Sequence, residues 1–171
     1  MTISMYSASV PVFKHMLENL SHFLDRAQAH AEARKFDPLV LIDYRLAPDM
    51  LPFRKQVQIA CDATKNGLAR LSGVEAPKFE DNETSFAELK ERIRKTIDYL
   101  DSVPRARIDG CENKDITFPV GRESTRTMKG EAYLLNWALP NMFFHITTAY
   151  AILRHNGVEL GKGEYLMGAA S

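Results

Sequence analysis

Apolar residues recur at spacings of three and four along four segments of the chain, and this pattern predicts four amphipathic helices. Ser9 is a suitable N-cap and Pro11 fits a first turn, so we place the start of the first helix at about residue 9. The helix should run to about Lys35, because Pro38 ends it. Its inward face carries apolar residues at helical spacing: Phe13, Met16, Leu20, Phe23, Leu24, Ala27 and Ala31.

The second and third predicted helices have clear boundary signals. The second covers about Phe53–Ser72, and Gly73 supplies its C-terminal stop. The third begins at the S-x-x-E pattern formed by Ser85 and Glu88, in which each side chain accepts the other residue's backbone N–H. It should end near Ser102, shortly before a proline.

The fourth predicted helix, Glu131–Asn156, differs from the others because it is apolar on nearly every side. A helix with that pattern is usually buried at the centre of a fold. Pro140 either kinks one long helix or starts a new one after a short turn, and Gly157 ends it.

The segments between the helices indicate how the helices are connected. Leu39–Pro52 is an apolar connection, while residues 105–130 contain glycines, a proline and short β-prone pieces that fit an irregular excursion or a small hairpin. We therefore expect an all-α fold, an up-down four-helix bundle formed by a single domain over residues 1–171. The short irregular or hairpin excursion should lie between the third and fourth helices.

Charge and cysteine content restrict the class of protein. The 22 basic and 22 acidic residues cancel and form no block of five like charges, so we expect neither nucleic acid nor a membrane surface as a partner. Cys61 and Cys111 lack the C-x-x-C spacing, which favours reduced thiols. The chain has no signal-peptide pattern and no apolar run long enough for a membrane span, so we expect a cytoplasmic location.

Asn141, His145 and Thr148 form a narrow polar stripe on the otherwise apolar fourth helix, because residues three and four apart share one side. Buried polar groups are costly unless they meet partners, so this stripe is our candidate site for a small-molecule ligand. The alternative is a hydrogen-bonded set that fixes helix packing, which is the more common role of buried polar residues.

Other polar patterns carry less functional signal. The chain contains no G-x-S-x-G, no P-loop and no H-E-x-x-H motif. Gln58, Asp62 and Lys65 could line a cleft as a polar triplet, but their spacing is also that of a solvated helix face, which we favour.

The remaining histidines are predicted to be solvated or to have structural roles. His15 and His22 lie away from the apolar face of the first helix, which predicts solvated positions. His30 borders that face and could reach a partner, although a structural role is favoured. His155 falls in the last turn of the fourth helix, where a partly cationic imidazole suits the helix dipole.

Three stretches of the chain resemble one protein family: RLAPDMLPFRKQVQIACDATK (Arg45–Lys65), SFAELKERI (Ser85–Ile93) and ALPNMFFHITTAYAILRHNGVELGK (Ala138–Lys162). They are similar to a mainly bacterial, uncharacterised family known as domain of unknown function 1993, and the resemblance extends over nearly the whole chain. It implies a fold similar to the DinB/YfiT-like four-helix bundles, a superfamily that includes metal-dependent thiol S-transferases. The closer family itself implies no biochemical activity.

For the metal-binding members of that superfamily, the resemblance implies three histidine ligands, one on the second helix and two that lie four residues apart near the fourth. His145 matches the last of these ligands, but Asn141 stands where its partner would be, and the second helix has no histidine. Cys61 could substitute, although cysteine, asparagine and histidine would be an unusual ligand set. We therefore expect a degenerate site with no metal and no cofactor.

The sequence leaves three functional hypotheses open. The leading hypothesis is a non-catalytic or uncharacterised DinB-like bundle whose polar stripe binds a small ligand or holds the core. The alternatives are a metal- or thiol-dependent transferase and a protein interaction module. We also predict a homodimer, because the fourth helix and the LVLIDY segment (Leu39–Tyr44) offer more apolar surface than one small bundle readily covers.

Overall fold

The computed structural model describes residues 3–121 and 123–168, and within these ranges seven α-helices and two β-strands follow one another. A 3-10 turn covers Arg105–Arg107, and a π-helical turn at Leu134–Ala138 joins α5 to α6. The helices are α1 (Met5–Arg34), α2 (Leu39–Ile42), α3 (Phe53–Ser72), α4 (Phe86–Ser102), α5 (Gly130–Tyr133), α6 (Leu139–His155) and α7 (Lys162–Met167), and the strands are β1 (Asp115–Val120) and β2 (Ser124–Lys129).

Four long helices, α1, α3, α4 and α6, surround one core. α3 packs against α4 and α6, and α1 packs against the same two helices. Their apolar faces meet around fully buried aromatic side chains that include Phe13, Phe23 and Phe53. The fold is therefore mainly helical, as the periodicity predicts.

Residues 115–129 form the hairpin that the sequence left as one of two alternatives. β1 and β2 are antiparallel, with Asp115 opposite Lys129 and Val120 opposite Ser124. Phe118 faces inward, and its ring centroid lies 4.9 Å from that of Tyr133 at the end of α5. The excursion expected between the third and fourth helices is therefore a two-stranded sheet, and the fold is mainly helical rather than strictly all-α.

The first helix begins five residues earlier than the sequence predicts. Ser4, not Ser9, is the N-cap: its Oγ accepts the N–H of Ser7 at 3.3 Å, and the Oγ of Ser7 accepts the N–H of Ser4 at 2.8 Å. Ser9 is buried inside the helix and donates to the carbonyl of Met5 at 2.6 Å. Because Met5 is buried, the earlier start gains apolar burial.

The boundaries predicted for α3 and α4 are confirmed. Gly73 follows α3 with φ of 74°, in the left-handed region that glycine adopts readily. Ser85 and Glu88 form the predicted capping box at the start of α4.

The fourth predicted helix is a continuous helical path from Gly130 to His155 that contains the π-helical turn. Pro140 lacks an N–H, and its ring crowds the carbonyl four residues earlier in a regular helix. We attribute the wider turn immediately before α6 to this proline, since π-helical turns relax such crowding. The helix therefore accommodates Pro140 through a wider, π-helical turn.

Among the helices of the described residues, none combines the length and the apolar character that crossing a membrane would require.

Candidate functional site

The imidazole of His145 on α6 is held by the side-chain amide of Gln56 on α3. Nδ1 of His145 lies 2.7 Å from Oε1 of Gln56. Gln56 is 2% exposed, and its Nε2 donates to the carbonyl of Leu51 at 3.0 Å. Because the amide nitrogen is committed to Leu51, the amide oxygen faces the imidazole and accepts its Nδ1–H.

This hydrogen bond selects one tautomer of His145. With the proton on Nδ1, the neutral ring keeps a lone pair on Nε2, which can accept a hydrogen bond or a proton. Nε2 has no hydrogen-bond partner among the described residues and is not completely buried, so its lone pair is free to accept a hydrogen bond. Burial lowers the pKa of His145 below its usual value of 6.5, so the ring is neutral at neutral pH.

The other two residues of the predicted stripe differ in what their side chains do. Asn141 lies one turn before His145, is half-buried, and has no side-chain partner within the part of the chain that the structure describes. Thr148 is buried, but its Oγ1 donates to the carbonyl of Phe144 at 2.8 Å, within the same helix. Asn141 is therefore available to act beside His145, whereas Thr148 is engaged.

Exposed apolar side chains border these polar atoms. The ring of Phe144 is 58% exposed, and its centroid lies 5.2 Å from that of His145 in an edge-on arrangement. Leu51, whose carbonyl orients Gln56, is 45% exposed. A molecule that reaches Nε2 would therefore meet apolar surface as well as the amide of Asn141.

Sequence reasoning missed Gln56, although one signal was available. Gln56 lies next to Val57 and one turn before Ala60, on the buried face of α3. A polar residue at a buried position needs a partner. The periodicity places Gln56 inward, but it does not show that α3 packs against α6, and that packing supplies His145 as the partner.

A second polar cluster corrects the prediction of a solvated face at Gln58, Asp62 and Lys65. Gln58 and Lys65 are only 1% and 5% exposed. Residues of the connection between α3 and α4 lie over this face, and Gln58 donates from Nε2 to Oε2 of Glu83 at 2.6 Å. The prediction failed because the spacing of polar residues on α3 does not reveal what covers them.

Arg92 on α4 is the centre of this cluster and is 3% exposed. Its Nη1 lies 2.9 Å from Glu83 and 3.0 Å from Asp81, and its Nη2 lies 3.0 Å from Asp62. Lys65 shares the same Asp62 carboxylate at 3.0 Å. Both terminal nitrogens of the guanidinium are therefore committed to carboxylates of the protein.

The Arg92 cluster fastens the connection between α3 and α4 to the bundle. The ring of Phe79, in that connection, lies under both cations, with its centroid 5.2 Å from Lys65 Nζ and 5.2 Å from Arg92 Cζ. Lys55 on α3 adds a further ion pair to Asp81 at 2.9 Å. Sequence reasoning missed Arg92, because its partners lie on two other segments, α3 and the connection between α3 and α4.

Contacts with α7 also correct the solvated position predicted for His22. Its side chain is 20% exposed, and Nε2 lies 3.2 Å from a carboxylate oxygen of Glu164. His15 is exposed, but its Nε2 lies 2.6 Å from the carbonyl of Leu166. Both histidines therefore serve to hold α7 against α1.

Comparison with known proteins places the chain in a family. The family model described as "Domain of unknown function (DUF1993)" matches residues 5–166. The chain belongs to this family. A solved structure of a DinB family member protein from Shewanella denitrificans is 44% identical, with a TM-score of 0.86 over 94% of this chain and 90% of that chain. No curated protein sequence matches the chain.

The donor atoms of this DUF1993 protein do not fit the three-histidine metal site implied by the wider resemblance. Beside His145, Gln56 and Asn141 contribute amides, which are poor ligands for zinc or nickel. Cys61 is fully buried with Thr96 of α4 as a neighbour, and burial raises its pKa to about 12, so its thiol stays protonated. Across residues 3–121 and 123–168, no three His, Cys, Asp or Glu side chains are grouped so that they could hold a metal ion.

Replacing His145 by alanine should lower the free energy of unfolding by about 1–3 kcal/mol, because the buried Oε1 of Gln56 then loses its donor. His155→Ala is the control, since His155 lies on the same helix, is exposed and makes no hydrogen bond or ion pair with the described residues, so its loss should change stability by about 0.5 kcal/mol or less at neutral pH. Urea unfolding of both variants measures the difference. Equal midpoints for the two variants would show that the contact with Gln56 contributes nothing to stability.

The lowered pKa of His145 predicts a specific pH dependence of stability. As the pH falls below 6.5, the unfolded chain binds a proton at this residue before the folded protein does, so the free energy of unfolding decreases. One group of this kind contributes a slope of at most about 1.4 kcal/mol per pH unit. His145→Phe should remove this component from urea unfolding curves recorded between neutral and mildly acidic pH, and an unchanged slope would contradict the assignment.

Proposed function

We propose that this DUF1993 protein binds a small organic molecule at His145, and that the bound molecule presents a hydrogen-bond donor on an apolar body. The main support is the hydrogen bond between Nδ1 of His145 and Oε1 of Gln56 at 2.7 Å. It holds a neutral imidazole whose acceptor nitrogen, Nε2, has no hydrogen-bond partner among the described residues.

The chemistry of the surrounding side chains favours this class of ligand. The lone pair of Nε2 accepts an O–H or N–H group, but it repels the lone pairs of a carboxylate. The amide of Asn141 can donate and accept beside it. The exposed faces of Phe144 and Leu51 would cover an apolar body and exclude water from the hydrogen bond.

Phenol and its methyl ether, anisole, are suitable probes because they share a ring and differ in the donor. Addition of phenol to the 15N-labelled protein should shift the Nε2 resonance of His145, whereas anisole should bind much more weakly. His145→Phe should abolish the phenol response, and His155→Phe, at an exposed histidine of the same helix, should preserve it. Equal responses to phenol and anisole, or binding that survives His145→Phe, would contradict the proposal.

We further propose that the site operates without a transition metal, since its nearest side chains offer one imidazole and two amides. Elemental analysis of untagged protein tests this, because a histidine tag would itself bind metal. The expected content is well below one metal ion per chain. About one zinc, nickel or iron per chain that is lost in His145→Ala would instead support the metal-dependent transferase.

The homodimer predicted from the sequence remains a proposal with additional support. Apolar side chains are exposed on the same two segments that motivated it: Leu39 on α2, Leu135 in the π-helical turn and Phe143 on α6. Association would remove them from water. Light scattering at micromolar concentration should give about twice the 19.4 kDa chain mass, and a species of 19.4 kDa alone would contradict it.

A further inference from the structure

A surface cleft lies at the C-terminal end of α1, outside the site at His145. Two cavities of about 370 Å³ and 350 Å³ share His30 and Arg34 in their walls. These two residues are four apart and so lie on the same side of consecutive turns of α1. We refer to the two cavities together as the end cleft.

One half of the end cleft is polar and rich in guanidinium groups. Arg26 lines it and donates from Nε and Nη2 to the carbonyl of Glu159, at 3.1 Å and 2.9 Å. In contrast, the guanidinium of Arg34 and the imidazole of His30 make no hydrogen bond or ion pair with the described residues. Their donors therefore remain available to a ligand.

The other half of the end cleft has a mixed lining. Phe36, Val40 and Leu41 contribute its apolar side, and His30, Arg34 and Asn156 contribute its polar side. The ring of Phe36 lies edge-on to His30 with centroids 5.8 Å apart, and Val40 is 55% exposed. A ligand at the two basic residues would therefore touch apolar surface on one side.

The turn after α6 forms part of the wall of the polar half of the cleft. Gly157 has φ of 82°, a conformation that glycine adopts readily, and a Cβ at this position would lie 3.8 Å from Cε1 of His30. The turn thereby approaches His30 directly, and it leads the chain on to Glu159 in the same wall.

We propose that the end cleft binds a small organic anion, with its anionic oxygens on Arg34 and His30 and its apolar part against Phe36 and Val40. The planar guanidinium matches the two oxygens of a carboxylate or phosphate group. Basic residues in a last helical turn also complement the helix dipole. Complementing the helix dipole does not require apolar side chains beside the basic residues. Their presence here indicates that the ligand has an apolar part as well as an anionic group.

Benzoate is the first probe, because it joins a carboxylate to a compact ring, and phenyl phosphate tests the other anionic group. In titrations of the 15N-labelled full chain, each should shift the backbone amides of His30, Phe36 and Gly157. Benzyl alcohol, which is neutral, and inorganic phosphate, which has no apolar part, should bind at least about tenfold more weakly than these probes.

Arg34→Ala should weaken benzoate binding by at least about tenfold, and His30→Phe should weaken it while keeping a ring against Phe36. Arg126→Ala is the matched control, since Arg126 is an exposed arginine on β2. His145→Phe should also leave benzoate binding unchanged, which separates this proposal from the site at His145. The proposal fails if Arg34→Ala binds benzoate normally, if inorganic phosphate binds as well as benzoate, or if no amide near the end cleft responds.

Discussion

Replacement of Arg92 by alanine should reduce the free energy of unfolding by about 3–5 kcal/mol, which is the usual range for breaking a buried ion pair from one side. Arg92 is 3% exposed, and three carboxylates lie within 3.0 Å of its terminal nitrogens. Removal of the guanidinium leaves these carboxylates close together with only lysines to neutralise them. The connection between α3 and α4 should then detach from the bundle before the core unfolds.

Arg94→Ala is the matched control for Arg92→Ala, because Arg94 lies on the same helix with a side chain that is 58% exposed. Its pairs with Glu91 and Asp98 are surface pairs, which are usually worth about 0–1 kcal/mol. Urea unfolding should therefore separate the two variants clearly. Similar losses of stability in both would show that the buried cluster contributes no more than a surface ion pair.

Arg92→Lys adds a test of geometry at constant charge. A lysine ammonium is a single point of charge, whereas the guanidinium reaches Glu83 and Asp62 with different nitrogens. We expect Arg92→Lys to recover part of the stability lost in Arg92→Ala. Full recovery would mean that charge alone, rather than the arrangement of donors, holds the connection in place.

Replacement of Gly130 by alanine should destabilise the protein by about 2–3 kcal/mol, near the upper end of the usual effect of overpacking. A Cβ at this position would lie 2.0 Å from the carbonyl oxygen of Cys111, which is a backbone atom and has little freedom to move. The N–H of Glu131 also donates to the carbonyl of Glu112 at 3.0 Å, so the two segments cannot separate without losing that hydrogen bond.

Gly163→Ala provides the control for Gly130→Ala. Gly163 lies in α7, and the nearest atom to the added methyl group would be Cε of Met167, at an ordinary contact distance of 3.7 Å. Because alanine favours a helix over glycine by about 0.8–1.0 kcal/mol, this variant should be neutral or slightly stabilised. Equal thermal midpoints for Gly130→Ala and the unmodified protein would contradict the close approach to Cys111.

Local sequence signals predicted those parts of the fold that depend on neighbouring residues. Gly73 ends α3, and Ser85 with Glu88 begins α4, because glycine conformation and side-chain capping act within one turn. The start of α1 was harder to predict from local signals, since Ser4 and Ser9 are both acceptable N-cap residues. The burial of Met5, which a local signal does not report, decides for Ser4.

The candidate site was predictable only in part, because half of it comes from another helix. The polar stripe on the fourth helix identified His145 and Asn141, but Gln56 became visible only through the packing of α3 against α6. The Arg92 cluster shows the same limitation more strongly. Its members are spread over α3, α4 and the connection between them, and helical spacing gives the same pattern for a covered face as for a solvated one.

The most direct test of the proposed site is the tautomer of His145, recorded by 15N NMR of the imidazole nitrogens at neutral pH. We predict a neutral ring with the proton on Nδ1 and an unprotonated Nε2, because Gln56 accepts the Nδ1–H. Gln56→Leu should release this constraint and give a mixture of tautomers, while His15 stays unchanged as an internal reference. A proton on Nε2 of His145 in the unmodified protein would contradict the account, since the acceptor proposed to bind the ligand would then not exist.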